Sequence, residues 1–281
     1  LPALNGASLT SVNAVNTGRK NMIINGDMRV QQRGTGSVTS GYFVDRFTLS
    51  ACSASAVLTS STPTEFPKAI SVSATSGNPI IIQKIESKSC QGLSGKTVTA
   101  SFYAKNISNA TTLYASLQYA GSADNFGSTT TISEQNLGSL SGSWVKYTAS
   151  WTVPSGGLNG LALNILCAGT GTFTMGVTGV QLEVGSVATD FEHRSYGEEL
   201  ALCQRYFYKD IQGTTQELSV GLYYTSSQIS WIINFPVVMR VKPTMDYSGP
   251  TDGWTIYRNG APDNFTTLGL ENVNYQYTRA S

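Results

Sequence analysis

The sequence predicts an all-β protein: an antiparallel β-sandwich of the jelly-roll kind, then a short helix, then a smaller C-terminal β-domain. Three observations predict it. Charged residues are 12% of the chain, about half the usual share, while hydrophobic residues remain at 40%. Ser, Thr, Asn, Gln and 28 Gly take the place of the missing charge, and such residues suit pleated surfaces joined by tight turns. Short runs alternate apolar and polar residues with period two, and Gly, Ser and Asn separate them.

The same composition excludes several functions. At 281 residues the chain holds one or two domains and a sizeable core. A net charge of +1 supplies no field to attract nucleic acid or an anionic membrane. No apolar run reaches the ~18 residues of a membrane span. Cys52, Cys90, Cys167 and Cys203 are widely spaced and form no CxxC pair. They are expected to be free, mostly buried thiols. A single histidine with scattered thiols makes no metal-ligand cluster.

Residues 1–19 are small and polar with weak periodicity, which predicts an extended arm or linker. Leu1 in place of Met, with no signal-like segment, predicts a fragment or a processed product. The sandwich is expected over 20–187. Runs at 42–51, 69–74 and 78–87 open it. In 96–106, Val98, Ala100, Phe102 and Ala104 fall on one face, and Thr97, Thr99, Ser101 and Tyr103 on the other. A looser run follows at 111–120. In 144–154, Trp144, Lys146, Thr148 and Ser150 oppose Val145, Tyr147, Ala149 and Trp151. Trp151 is the core candidate of the two tryptophans, and Trp144 the one free to stack on a sugar. Asp45 and Arg46 read as an ion pair fixing a strand end. Runs at 160–169 and 171–185 close the series.

These residues carry a resemblance. The segments NMIINGDMRVQQRG (21–34), YFVDRF (42–47), GSWVKYTASWTVP (142–154), VTGVQLEVGSVATDFEHRSYGEELALCQRYF (177–207) and FPVVMRVKPTM (235–245) resemble bacteriophage tail-fibre and minor virion proteins. The 177–207 block is the most specific. The 21–34 and 142–154 blocks also resemble carbohydrate-binding jelly-roll modules. Such modules hold a structural calcium between the opening motif and an acidic pair near the last strand. Here Asn25 and Asp27 are the calcium candidates, but Thr178 and Gly179 stand where the acidic pair is expected. No other cofactor is implied.

The block at 185–209 holds His193, the chain's one histidine, and four of its seventeen acidic residues within ten positions. Glu192, His193 and Glu198 could form an acid/base cluster. No GxSxG, HExxH or phosphate-cradling loop accompanies them, so residues 188–208 read instead as a linker with a short helix. Ser195 is its N-cap, and Glu198 sits at the capping-box position beside Glu199. Arg205 lies near its end. Leu202 and Tyr206 are expected on its apolar face, with Leu200, Cys203 and Phe207 beside it.

Residues 209–281 read as a small β-domain. A hairpin is expected from 218–227 and 228–235. Pro236 and Pro243 restrict VVMRVK to an edge or bulged strand. A short strand lies between the DG and NG turn signals. Trp254, Tyr257, Asp252, Asn264, Tyr275 and Tyr277 gather flat rings beside amides and a carboxylate, as a glycan site requires. No catalytic residue is assigned. The resemblance implies a non-catalytic virion fibre component, usually homotrimeric, joined through the N-terminal arm to other tail or fibre proteins and adhering to host surface polysaccharide. A purely structural collar, adaptor or capsid fibre, and a glycan-cleaving tailspike, are the alternatives.

Overall fold

The computed structural model describes residues 19–34, 36–50, 54–209, 222–225, 228–244, 254–258, 261–265, 270–271 and 277–280. The chain divides into two compact units, Leu1–Arg194 and Ser195–Ser281. The protein is all-β with one α-helix among the described residues.

The first unit holds β1 (Gly41–Val44), β2 (Phe47–Ser50), β3 (Ala54–Thr59), β4 (Ala69–Ala74), β5 (Ile80–Ile85), β6 (Thr97–Ser122), β7 (Asn125–Ser139), β8 (Val145–Thr152) and β9 (Leu161–Val184). All pairings are antiparallel. The two long strands, β6 and β9, build the sandwich because each serves both sheets. The first half of β6 pairs with β8 and with the second half of β9, which continues to β4 and β3. The second half of β6 pairs with β7 and with the first half of β9, which continues to β5, β2 and β1. Between the halves, register shifts from Ser101 to Thr112 bend β6 from one sheet to the other.

The core lies between these sheets. Val98, Ala100, Phe102 and Ala104 of β6 point inward, as their alternation predicts, and meet Leu113, Leu117, Leu163 and Ile165 from the other sheet. Trp151 is 3% exposed and donates from Nε1 to the Ser133 carbonyl (3.1 Å). Cys90 and Cys167 are buried and free, and burial pushes both thiols up to about 12. They stay protonated at neutral pH and act as small hydrophobes. Cys203 is also buried and free, and Cys52 lies outside the described residues.

Asp45 and Arg46 do not pair with each other. Asp45 accepts from Gln32 N (2.6 Å) and Gln32 Nε2 (2.9 Å), and Arg46 donates to the Lys84 carbonyl. Each side chain ties the β1–β2 turn to a different element, which holds it more firmly than one exposed ion pair would.

In the second unit, α1 spans Tyr196–Gln204. Ser195 Oγ caps it by accepting from Glu198 N (3.3 Å), and Glu198 and Glu199 occupy the first turn. Its buried residues are Glu199 and Cys203, the latter on the side expected to be apolar, while Leu202 and Tyr206 are half-buried. Strands β10 (Leu222–Thr225) and β11 (Gln228–Asn234) form the expected hairpin. Residues 235–244 form no strand, so VVMRVK is neither edge nor bulge. Arg240 N instead donates to the Arg205 carbonyl (2.9 Å). Strand β12 (Trp254–Arg258) pairs with β13 (Ala261–Phe265), and β11 pairs with β15 (Tyr277–Ala280), which pairs with β14 (Leu270–Glu271); the NG pair itself lies outside the described residues.

Candidate functional site

The outer face of the six-stranded sheet has the composition of a binding surface. Directly paired residues share a face, so register defines its rows. One row runs Tyr42, Thr48, Ile82, Asn164, Ser116 and Glu134 across β1, β2, β5, β9, β6 and β7. The adjacent row runs Ser50, Ile80, Leu166, Tyr114 and Asn136. The opposite neighbour runs Lys84, Ala162, Gln118 and Thr131. Tyr42 is 42% exposed, and Ile80, Ile82, Leu166 and Tyr114 are half-buried. Two rings and three aliphatic side chains thus alternate with hydroxyls and amides. The Arg33 guanidinium lies over the Tyr42 ring (4.9 Å), and the Lys84 ammonium near the Phe126 ring (5.3 Å).

Asn164 stands at the centre. It is 4% exposed, its Nδ2 donates to Ser116 Oγ (3.2 Å), and its Oδ1 has no partner. A buried unsatisfied acceptor costs about 1–3 kcal/mol, and native structures carry few of them. Gln118 is pinned between Thr131 and Thr129. Tyr114, two residues before Ser116, lies on the same face and is half-buried. The sequence hid this site because GLALNILCAG reads as an apolar strand with one polar interruption. An Asn inside such a run is the one signal that was available.

The residues around His193 do something else. Glu192 Oε2 accepts from Asn21 N (2.7 Å), and its other oxygen lies 3.8 Å from Arg19. Arg194 donates to the carbonyls of Ile23 (2.9 Å) and Asn21. His193 packs against Phe191 (4.9 Å) and Phe66 (5.8 Å). Gln181 accepts from Glu192 N (2.9 Å), and Glu183 accepts from Thr189 N (2.8 Å) and its hydroxyl (2.7 Å). Glu192 and Arg194 thus serve backbone groups, and His193 serves a ring cluster. Residues 188–194, read from sequence as linker, belong to the first unit and lie stitched to β9 and the N-terminal segment.

Asn25 and Asp27 sit in the same region. Asn25 Oδ1 accepts from Val30 N (2.9 Å), while its Nδ2 donates to the carbonyls of Val30 (2.8 Å) and Asp45 (3.0 Å). That closes a turn in which Asn25 has a φ of 62°. Asp27 pairs through Oδ2 with Arg29, and its buried Oδ1 is unpartnered. Among the described residues no three His, Cys, Asp or Glu side chains gather as a metal centre would.

Trp254 and Tyr257 lie on β12, Asn264 on β13 and Tyr277 on β15. The β12–β13 ribbon and the sheet containing β15 are separate, so strand pairing does not bring Tyr277 to the others. Asp252 and Tyr275 lie outside the described residues. Trp144 reaches across the other sheet with its ring tip over Gly176.

No protein-family model and no curated protein matches the chain. Solved structures do. The chain is similar to the enzymatically active domain of tailspike protein 4 of bacteriophage CBA120, with 15% identity and a TM-score of 0.43, over 59% of this chain and 21% of that one. It is similar to the xylan-binding domain from Paenibacillus barcinonensis, with 12% identity and a TM-score of 0.43, over 61% and 99%. A family 22 carbohydrate-binding module of Clostridium thermocellum shares 18% identity at a TM-score of 0.38, over 54% and 97%. These likenesses concern β-architecture alone.

Proposed function

We propose that the protein is a non-catalytic glycan-binding component of a bacteriophage fibre, with the outer face of the six-stranded sheet as its binding surface. The observation that carries this is Asn164, an unpaired acceptor at the centre of a face where rings and aliphatic groups alternate with hydroxyls and amides. Sugars match both parts. Their C–H faces lie on apolar or aromatic groups, and in this reading the half-buried Tyr114 ring turns aside so that a sugar hydroxyl can donate to the buried Asn164 Oδ1. The fibre assignment is supported by the resemblance of 21–34, 142–154 and 177–207 to tail-fibre and minor virion proteins. In this reading the chain forms a homotrimer, the N-terminal arm joins it to other virion proteins, and host surface polysaccharide is the ligand.

The test is an array of bacterial surface polysaccharides and neutral oligosaccharides, probed with the wild-type protein and with Asn164→Leu. Leu removes the unpaired acceptor while keeping the branched shape of the side chain. Wild type should bind at least one glycan, and the variant should lose about tenfold or more in affinity. Equal glycan binding by both proteins would sink the site.

A further inference from the structure

The chain enters the first unit at residues 19–24 and leaves it at 189–194, and these two segments are bonded to each other. Lys20 Nζ donates to the Thr189 hydroxyl (2.6 Å) and the Asp190 carbonyl (2.6 Å). Asn21 N donates to Glu192 (2.7 Å), and Arg194 donates back to the Asn21 and Ile23 carbonyls. Behind this contact, Met22 N donates to the Leu182 carbonyl (2.8 Å) and Val180 N to the Gly26 carbonyl (2.9 Å). The Arg194 side chain is only 4% exposed, so water has little access to the bonds it makes, and bonds shielded from water are slow to exchange.

We propose that this clasp carries tension along the chain, so that force between whatever precedes Arg19 and whatever follows Arg194 bypasses the sandwich. The reason is geometric. Two points joined by direct hydrogen bonds take up a pull on both before any strand between them does. Every strand from β1 to β9 lies within the loop that the clasp closes. A binding face borne on that loop keeps its shape while the chain is under load. The most specific sequence block, with its Asp190, Glu192 and Arg194, is then the fastener. This inference stands apart from the glycan reading, since its test needs no ligand.

The experiment is constant-force spectroscopy on the full chain, held by handles at its two ends. Opening of the first unit is recognised by a gain of about 60 nm, from ~3.5 Å per extended residue. Arg194→Met and Lys20→Ala each break clasp bonds, and Lys20 is only half-buried, so that variant folds even where the first does not. Leu117→Ala removes core volume and lowers the thermal midpoint without touching the clasp. The expected result is a lifetime under force about tenfold shorter in the clasp variants and changed less than about twofold in Leu117→Ala. A lifetime that follows thermal midpoint across all three variants would overturn the proposal. So would wild-type traces in which part of the sandwich unravels before the clasp releases.

Discussion

Asn164 and Asp45 are two buried polar side chains with opposite circumstances. Asn164 lacks a partner for its oxygen, whereas Asp45 accepts two hydrogen bonds from Gln32. Even so, burial raises the Asp45 carboxyl above its ordinary 3.8, against the lowering effect of the Gln32 donors. The sign follows from linkage. A folded carboxyl with a raised pKa binds its proton more readily than the unfolded one, so its contribution favours folding most below 3.8. That contribution falls as pH rises from 3.8 through the folded pKa, and is flat above it. Asp45→Asn should remove this component. Urea unfolding of both proteins in small pH steps should give a stability difference, wild type minus variant, that declines with pH just above 3.8 and then levels. A difference independent of pH would mean that Asp45 titrates as it does in the unfolded chain. Neither circumstance is written in the sequence, because VDRF and LALNIL say nothing of what lies across the sheet.

At the scale of elements, period-two alternation located most of the sandwich strands. The inward set Val98, Ala100, Phe102 and Ala104 emerged as read, and so did the capped start of α1. What alternation missed is instructive. Strand β7 is rich in Ser, Thr and Gly, and its burial is slight, so its residues had no reason to alternate. Its place comes from backbone pairing with β6. The merger of two predicted runs into β6 likewise depends on a bend that register shifts make. The segment 19–30 depends on close backbone approach. A Cβ at Gly26 would fall 2.1 Å from the Val180 carbonyl oxygen, and backbone cannot yield as a side chain can. Gly26→Ala should therefore destabilise the first unit by about 3 kcal/mol. Gly197, in the first turn of α1, has nothing within 4 Å of its Cβ direction, and Gly197→Ala should instead stabilise by roughly 0.5 kcal/mol. Denaturant titration of both variants checks the pair, and similar losses in both would show that the two glycines matter only as turn formers.

For the whole molecule, the proposed function turns on the number of copies that act together. One sheet face with a few half-exposed rings and one free acceptor supports weak binding, since ordering the ligand and the side chains offsets much of the contact energy. Multiple copies change the arithmetic. Once one face is engaged, the next meets its ligand at an effective concentration near millimolar, and avidity rises about 10²–10⁴-fold with no new contact. If the 30.0 kDa chain supplies its own copies, the proposed fibre is a homotrimer. Light scattering on the purified protein should give a mass of about three chains. On a glycan-coated surface the oligomer should then dissociate about a hundredfold more slowly than from the same glycan free in solution. A monomeric mass at micromolar concentration would leave each face to act alone. In that case surface and solution dissociation would match, and the protein would be a sugar-binding or adaptor module whose multivalency comes from the partner that carries it.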